Sequence, residues 1–126
     1  MRRRLFLAFL AALAPLAALA ASAQPFAGQP FQCALQAGQP VLVEIHADWC
    51  PTCKAQAPVV DKLTAQPRYA GIARFRVDFD AQPEVVKKFR ARYQSTLILF
   101  KGGAEIARSV GVTSEPEIRA MLDKAR

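Results

Sequence analysis

The sequence predicts an α/β fold, a mixed sheet of about four strands with helices on both faces. Three observations carry this. Helix-like and strand-like segments alternate from residue 31 to residue 93, the pattern of parallel strands joined by crossover helices. Two strand-like runs then follow each other across Gly102-Gly103, as an antiparallel hairpin does. A final amphipathic segment carries its own start signal. The order is helix, strand, helix, strand, helix, hairpin, helix.

Each element has a local reason. Phe31 to Gln36 reads as a short helix ended by Gly38. Val41-Leu42-Val43-Glu44-Ile45 is a β-branched run after Gly-Gln-Pro, which marks a buried strand. Trp49 to about Ala65 reads as helix, with Val59, Val60 and Leu63 on one side and Pro58 expected to kink it. From Ile72 to Phe79 the residues alternate, placing Ala73, Phe75 and Val77 on one face of a strand. Pro83 to Tyr93 reads as helix with Val85, Val86 and Phe89 as its apolar stripe. Thr96 to Phe100 and Glu105 to Val110 are the hairpin strands. Ser114 followed by Glu117 forms a capping box, and Ile118, Met121 and Leu122 supply the last helix's apolar face.

The 126 residues suffice for one domain. Part of the 52% hydrophobic content sits at the N-terminus. There, Met1-Arg2-Arg3-Arg4 precedes an apolar run from Leu5 to Ala20, and Ala21-Ser22-Ala23 is a small-x-small site. That is the three-part pattern of a secretory signal peptide, with cleavage expected after Ala23. The run is short for a membrane span and contains Pro15, so a retained anchor is the second choice. Arg3-Arg4 before Leu5-Phe6-Leu7 also resembles a twin-arginine export signal. Either export route puts the domain outside the cytoplasm, and the expected location is the periplasm. Residues 24–30, with two Pro and one Gly, read as a flexible arm, and 31–126 as the folded domain. Losing 23 of 126 residues leaves 103, and losing three arginines lowers the net charge from +7 to +4. That modest charge, with no basic block interleaved with aromatics, gives no reason to expect a nucleic-acid partner.

The chemistry lies in Trp49-Cys50-Pro51-Thr52-Cys53. Cys50 ends a strand–loop segment and opens a helix. A helix start offers unpaired backbone N–H groups and a partial positive charge. Both stabilise a thiolate, which is the attacking species in disulfide exchange. Two intervening residues put Cys53 one turn along, within reach of a mixed disulfide on Cys50. The spacing alone also admits a structural disulfide or half of a metal site, and the place between strand and helix favours the redox reading.

Several segments in order resemble the thioredoxin family, and the resemblance covers nearly all of residues 31–126. Ala47-Asp48-Trp49-Cys50-Pro51-Thr52-Cys53-Lys54 is similar to that family's active-site segment. Pro58 falls where the family has its helix-kinking proline. Thr96-Leu97-Ile98-Leu99-Phe100-Lys101-Gly102-Gly103 resembles the hairpin strand and turn, and Gly111 the glycine before the last helix. The resemblance implies a thioredoxin-like fold and exchange with protein thiols and disulfides, with no cofactor. Two places depart from the family: Pro51-Thr52 replaces Gly-Pro between the cysteines, and Ser95 stands where the family has a cis-proline.

The resemblance also puts a buried acid, Glu44, beneath the cysteines. Burial would raise its pKa and suit it to accept a proton from Cys53. The alternatives are a solvent-facing carboxylate or a pair with Arg74 on the neighbouring strand. A cis bond before a non-proline residue costs about 2.5–4 kcal/mol, so the Gln94–Ser95 bond is expected to be trans. The Ser95 backbone N–H or hydroxyl could then hydrogen-bond a Cys50 thiolate; the alternative is a solvated loop serine. Trp49, Pro51, Thr52, Ser95 and Thr96 are the expected substrate-binding residues. His46, the single histidine, is expected as a partly exposed loop residue, and Cys33 as a small apolar residue on a short helix.

Three functions compete. The first is a disulfide oxidoreductase with Cys50 as nucleophile and Cys53 as resolving thiol, acting as a monomer. Pro51-Thr52 adds no charge or histidine to favour the thiolate, so an intermediate potential is expected. The lean is towards a reductase, whose electrons would come from a membrane partner. The second is a zinc- or copper-binding module using Cys33, His46, Cys50 and Cys53. The third is a non-catalytic binding domain that keeps the pair as a structural element.

Overall fold

A run as apolar as Val41–His46 belongs in the middle of a sheet, covered on both faces, and that is where the chain puts it. The computed structural model describes residues 22–126. Residues 1–21, most of the expected signal peptide, lie outside the described residues. Among the described residues the sheet has five strands: β1 (Gln24–Pro25), β2 (Val41–His46), β3 (Ala73–Asp78), β4 (Thr96–Lys101) and β5 (Ala104–Val110). Their spatial order is β1-β3-β2-β4-β5. The pairs β1–β3 and β2–β3 are parallel; β2–β4 and β4–β5 are antiparallel. The helices are α1 (Gly28–Gln36), α2 (Pro51–Thr64), α3 (Pro83–Lys88) and α4 (Glu115–Asp123).

The period of two along each strand divides the core into two layers. Val41, Val43 and Ile45 of β2 pack with Phe75, Val77 and Ile98 against Phe31 and Ala34 of α1 and Val86 of α3. Leu42 points the other way, with Leu97 and Leu99, against Val60 and Leu63 of α2 and Ile118, Met121 and Leu122 of α4. Glu44 shares the second face with Leu42. The face expected for Ala73, Phe75 and Val77 is the first of these.

Two expectations need correction. Residues 24–30 are part of the fold, not a flexible arm. Gln24 and Pro25 pair with Phe75 and Arg76, and the Phe26 N–H donates to the Arg76 carbonyl at 2.8 Å. The Phe26 ring lies 5.3 Å from that of Phe31 and 5.4 Å from that of Phe89. An aromatic anchor outweighed the turn-forming composition, and proline is tolerated because β1 is an edge strand. This strand also makes the sheet five-stranded, where four were expected. Second, α3 stops at Lys88, short of Tyr93, because Arg90 takes a left-handed conformation with φ of 54°. At the hairpin, Gly102 and Gly103 both have positive φ (62° and 79°), as a tight two-residue turn requires.

Candidate active site

The loop after β2 delivers Cys50 to the start of α2. Pro51 is the first helical residue, where a missing N–H costs nothing. Cys50 is the N-cap, with φ −77° and ψ 117°, and its Sγ accepts a hydrogen bond from the Cys53 N–H at 3.2 Å. The sulfur thus does what a capping serine or aspartate oxygen usually does. Cys50 is 7% exposed and Cys53 1%.

Equal chemistry becomes unequal here. Burial works to raise the Cys50 pKa. Hydrogen bonds from the Cys53 thiol, the Ser95 hydroxyl and the Cys53 and Thr52 backbone N–H groups outweigh it, leaving Cys50 below the ordinary 9.0. Burial pushes the Cys53 thiol up from 9.0, and its hydrogen bond to Cys50 adds to that, against smaller lowering effects from Ser95 and the Ala47 backbone.

Ser95 lies opposite the pair. It is 2% exposed, so it is not a solvated loop residue. Among the described residues no peptide bond is cis, in line with the trans bond expected at Gln94–Ser95. Its Oγ stands 3.1 Å from Cys53 Sγ and 3.5 Å from Cys50 Sγ. Its backbone N–H turns away from the sulfurs to the Ile45 carbonyl at 2.8 Å, so of the two groups expected to reach Cys50 only the hydroxyl does. Its carbonyl accepts from the Gly111 N–H at 3.0 Å and from Gln56 Nε2 at 3.1 Å. Gln56 Nε2 also donates to the Val112 carbonyl at 2.8 Å. Sequence reasoning missed Gln56. The available signal was its place three residues after Cys53, on the same face of α2.

Glu44 is buried at 4% exposure, but its carboxylate is given to cations. Arg74 Nε donates to Oε2 at 2.8 Å and Arg74 Nη2 to Oε1 at 3.0 Å; Arg76 Nη2 lies 3.6 Å from Oε1. Arg74 Nη2 also donates to Asp61 on α2 at 2.8 Å. No hydrogen bond joins Glu44 to either sulfur among the described residues. The pair with Arg74, left open by the sequence, is what forms. The acids raise the Arg74 pKa further, against burial, which works to lower it.

The remaining expected residues divide. Trp49 is 61% exposed beside Cys50, its indole N–H held by Asp80 at 2.6 Å. Pro51 and Thr52 are exposed on the first turn of α2. Thr96 is buried, and its hydroxyl donates to the Tyr93 carbonyl at 2.7 Å. Its side chain is therefore committed to the loop and closed to substrate, a correction to its expected binding role. His46 ends β2, not a loop, and its Nε2 lies 3.0 Å from Asp48 Oδ1. Cys33 is exposed on α1. Cys33, His46 and the cysteine pair do not converge, and among the described residues no three His, Cys, Asp or Glu side chains form a metal-holding group.

A buried dithiol with unequal acidities at the junction of a parallel strand and a helix is the site of a thiol–disulfide oxidoreductase. The thioredoxin family model matches residues 22–124, and the chain belongs to the thioredoxin family. It is similar to a thioredoxin of Allochromatium vinosum, 39% identical over 85 residues, covering 67% of this chain and 78% of that one. It is 38% identical over 84 residues to a thioredoxin of Chlamydia muridarum, covering 67% and 80%. Among solved structures, Trxlp from Edwardsiella tarda EIB202 superposes with a TM-score of 0.78 at 42% identity, covering 80% of this chain and 98% of that one. The protein is thus a disulfide oxidoreductase of protein thiols and disulfides.

Proposed function

We propose that this oxidoreductase works outside the cytoplasm as a monomer, with Cys50 as nucleophile and Cys53 as resolving thiol. We propose further that it reduces protein disulfides with electrons from a membrane-bound donor. The observation that carries the division of labour is the opposed acidity of the two thiols around one helix start. The Cys50 thiolate attacks a substrate disulfide, forms a Cys50–substrate bond and releases one substrate thiolate. Cys53 then loses its proton to solvent, attacks Cys50 Sγ and releases the second. Two electrons pass to the substrate, whose thiolates take protons from water, and Cys50–Cys53 becomes the disulfide that the donor must reduce. Exposed Trp49, Pro51 and Thr52 provide the face on which a substrate segment would rest.

The reducing direction is supported by what surrounds Cys50. The largest contributions that lower its pKa are hydrogen bonds from neutral dipoles: the Cys53 thiol, the Ser95 hydroxyl and two backbone N–H groups. Strong oxidants stabilise their reduced form heavily, and neutral dipoles do so less than a charge. Export is supported by the basic, apolar and small-residue order of residues 1–23. Expressing the full chain in a Gram-negative host should give a periplasmic product whose first residue is Gln24. With Cys53→Ser, mixed disulfides should accumulate on Cys50. Adducts mainly on Cys33, or a product retained in the cytoplasm with Met1 intact, would overturn the corresponding part.

A further inference from the structure

We propose that the Ser95 hydroxyl sets the redox poise of this protein, by bonding the reduced pair through both sulfurs and losing those bonds in the disulfide. The inference rests on the Cys50–Cys53 pair being the redox centre.

The geometry is specific. A serine hydroxyl has one proton to donate and lone pairs to accept. Here Oγ lies 3.1 Å from one sulfur and 3.5 Å from the other. With a single proton it can donate to only one of them, so the other contact must be a thiol S–H donating to Oγ. The arrangement that satisfies both has the proton on Cys53 and the negative charge on Cys50: the Cys53 S–H turns from Cys50 to Oγ, and Oγ–H donates to the Cys50 thiolate in its place. The second bond is charge-assisted and the stronger. A disulfide offers neither an S–H donor nor a charged acceptor, only two weakly accepting sulfurs. Oxidation therefore forfeits both contacts, and the hydroxyl favours the dithiol form. Stabilising the reduced form makes the pair a stronger oxidant. Ser95 thus holds the potential less negative than an unreactive residue at the same place would.

Its position is enforced from all sides. Ser95 has φ of 58°, a conformation uncommon for a non-glycine residue and most informative at functional sites. The N–H to Ile45 and the carbonyl bonds from Gly111 and Gln56 hold that conformation and so fix where Cβ stands; the hydroxyl leaves the sulfurs only by turning about χ1.

The test is an equilibrium titration of the full chain against reduced and oxidised glutathione, for the parent, Ser95→Gly and Ser95→Ala. Both variants lack the hydroxyl. They differ in backbone cost, since glycine takes positive φ freely and alanine does not. That cost is present in both redox states and cancels from the potential. Each variant should therefore shift the dithiol–disulfide equilibrium about tenfold towards the disulfide, a potential about 30 mV more negative. The two shifts should agree with each other even if the variants differ in stability. Variants that titrate with the parent, move to a less negative potential, or disagree by as much as the expected shift would overturn the role of the hydroxyl. A parent whose Cys50–Cys53 pair shows no equilibrium with glutathione would instead overturn the redox centre itself.

Discussion

Arg74 should be among the least replaceable residues outside the cysteines. It is 2% exposed, and it joins buried Glu44 on β2 to Asp61 on α2 at the surface end. Arg74→Met keeps most of the side-chain stem and removes the guanidinium. Glu44 is then a buried carboxylate whose nearest cation is Arg76, at 3.6 Å. Breaking one side of a buried pair costs about 3–5 kcal/mol. The Asp61 contact adds little, because that carboxylate is 60% exposed and surface pairs contribute about 0–1 kcal/mol. Glu44→Gln should cost less, about 1–3 kcal/mol, since the amide still accepts a hydrogen bond and Arg74 keeps Asp61. The double variant Glu44→Leu with Arg74→Met removes both desolvated charges and should return to within about 1 kcal/mol of the parent. Urea unfolding of the reduced proteins, followed by tryptophan fluorescence and far-ultraviolet circular dichroism together, measures the cycle. For a domain of this size, 3 kcal/mol corresponds to a fall in Tm of roughly 12–24 °C. A cost for Arg74→Met under about 1 kcal/mol, or a double variant as unstable as the sum of the singles, would refute the argument.

Other outcomes follow from the same contacts. Because the Cys50 pKa lies below 9.0, its thiolate fraction at neutral pH exceeds that of a free cysteine. Its alkylation by iodoacetamide should reach half its plateau rate below pH 9.0, with Cys53 lagging at every pH; the reverse order would exchange their roles. With Glu44 engaged by Arg74, Glu44→Gln should slow first attack and resolution by similar factors in a two-step glutathione assay. A defect confined to resolution would instead support proton transfer to Glu44. Phe26→Ala, which removes a half-buried ring from the cluster with Phe31, Phe75 and Phe89, should cost about 2–3 kcal/mol. A loss under 0.5 kcal/mol in urea unfolding would return residues 24–30 to the status of an arm. Gln56→Ala strips a donor from two carbonyls and should cost about 1–3 kcal/mol. An unchanged urea midpoint would mean that water replaces the amide.

What was legible in the sequence was whatever depends on period and punctuation. The strand at Val41, the helix opening at Cys50, the Gly102-Gly103 turn and the Ser114 cap are each dictated within a few residues. The β1 strand was not, because its two residues have no pattern of their own; pairing with Phe75 and Arg76, fifty residues away, creates it. The end of α3 was hidden for a similar reason: nothing near Arg90 distinguishes it from a helical arginine until the left-handed turn is seen. In the site, the cysteines were readable from spacing, whereas the fate of Glu44 was not. Alternation places Arg74 on the same face as Glu44's neighbours, but the depth of that face depends on how α2 and α4 cover it.

Gln56 shows how the local and distant parts of the site become one. It lies on α2, the helix that carries Cys53, and spans to the Ser95 and Val112 carbonyls on the two loops facing the cysteines. Gly111, with φ of 72°, donates its N–H to the same Ser95 carbonyl. The loop that bears the hydroxyl is therefore tied to the helix that bears the thiols, through a buried amide. A distance of 3.1 Å between Ser95 Oγ and Cys53 Sγ is then a property of one braced unit and not of two loops that happen to meet. In relatives with proline at this place the ring would supply rigidity by its fixed φ. Serine has no such constraint, and its positive φ must be held by partners. The bracing by Ile45, Gly111 and Gln56 supplies that hold, and it leaves the side chain free to carry a polar group to the sulfurs, which a proline ring cannot do.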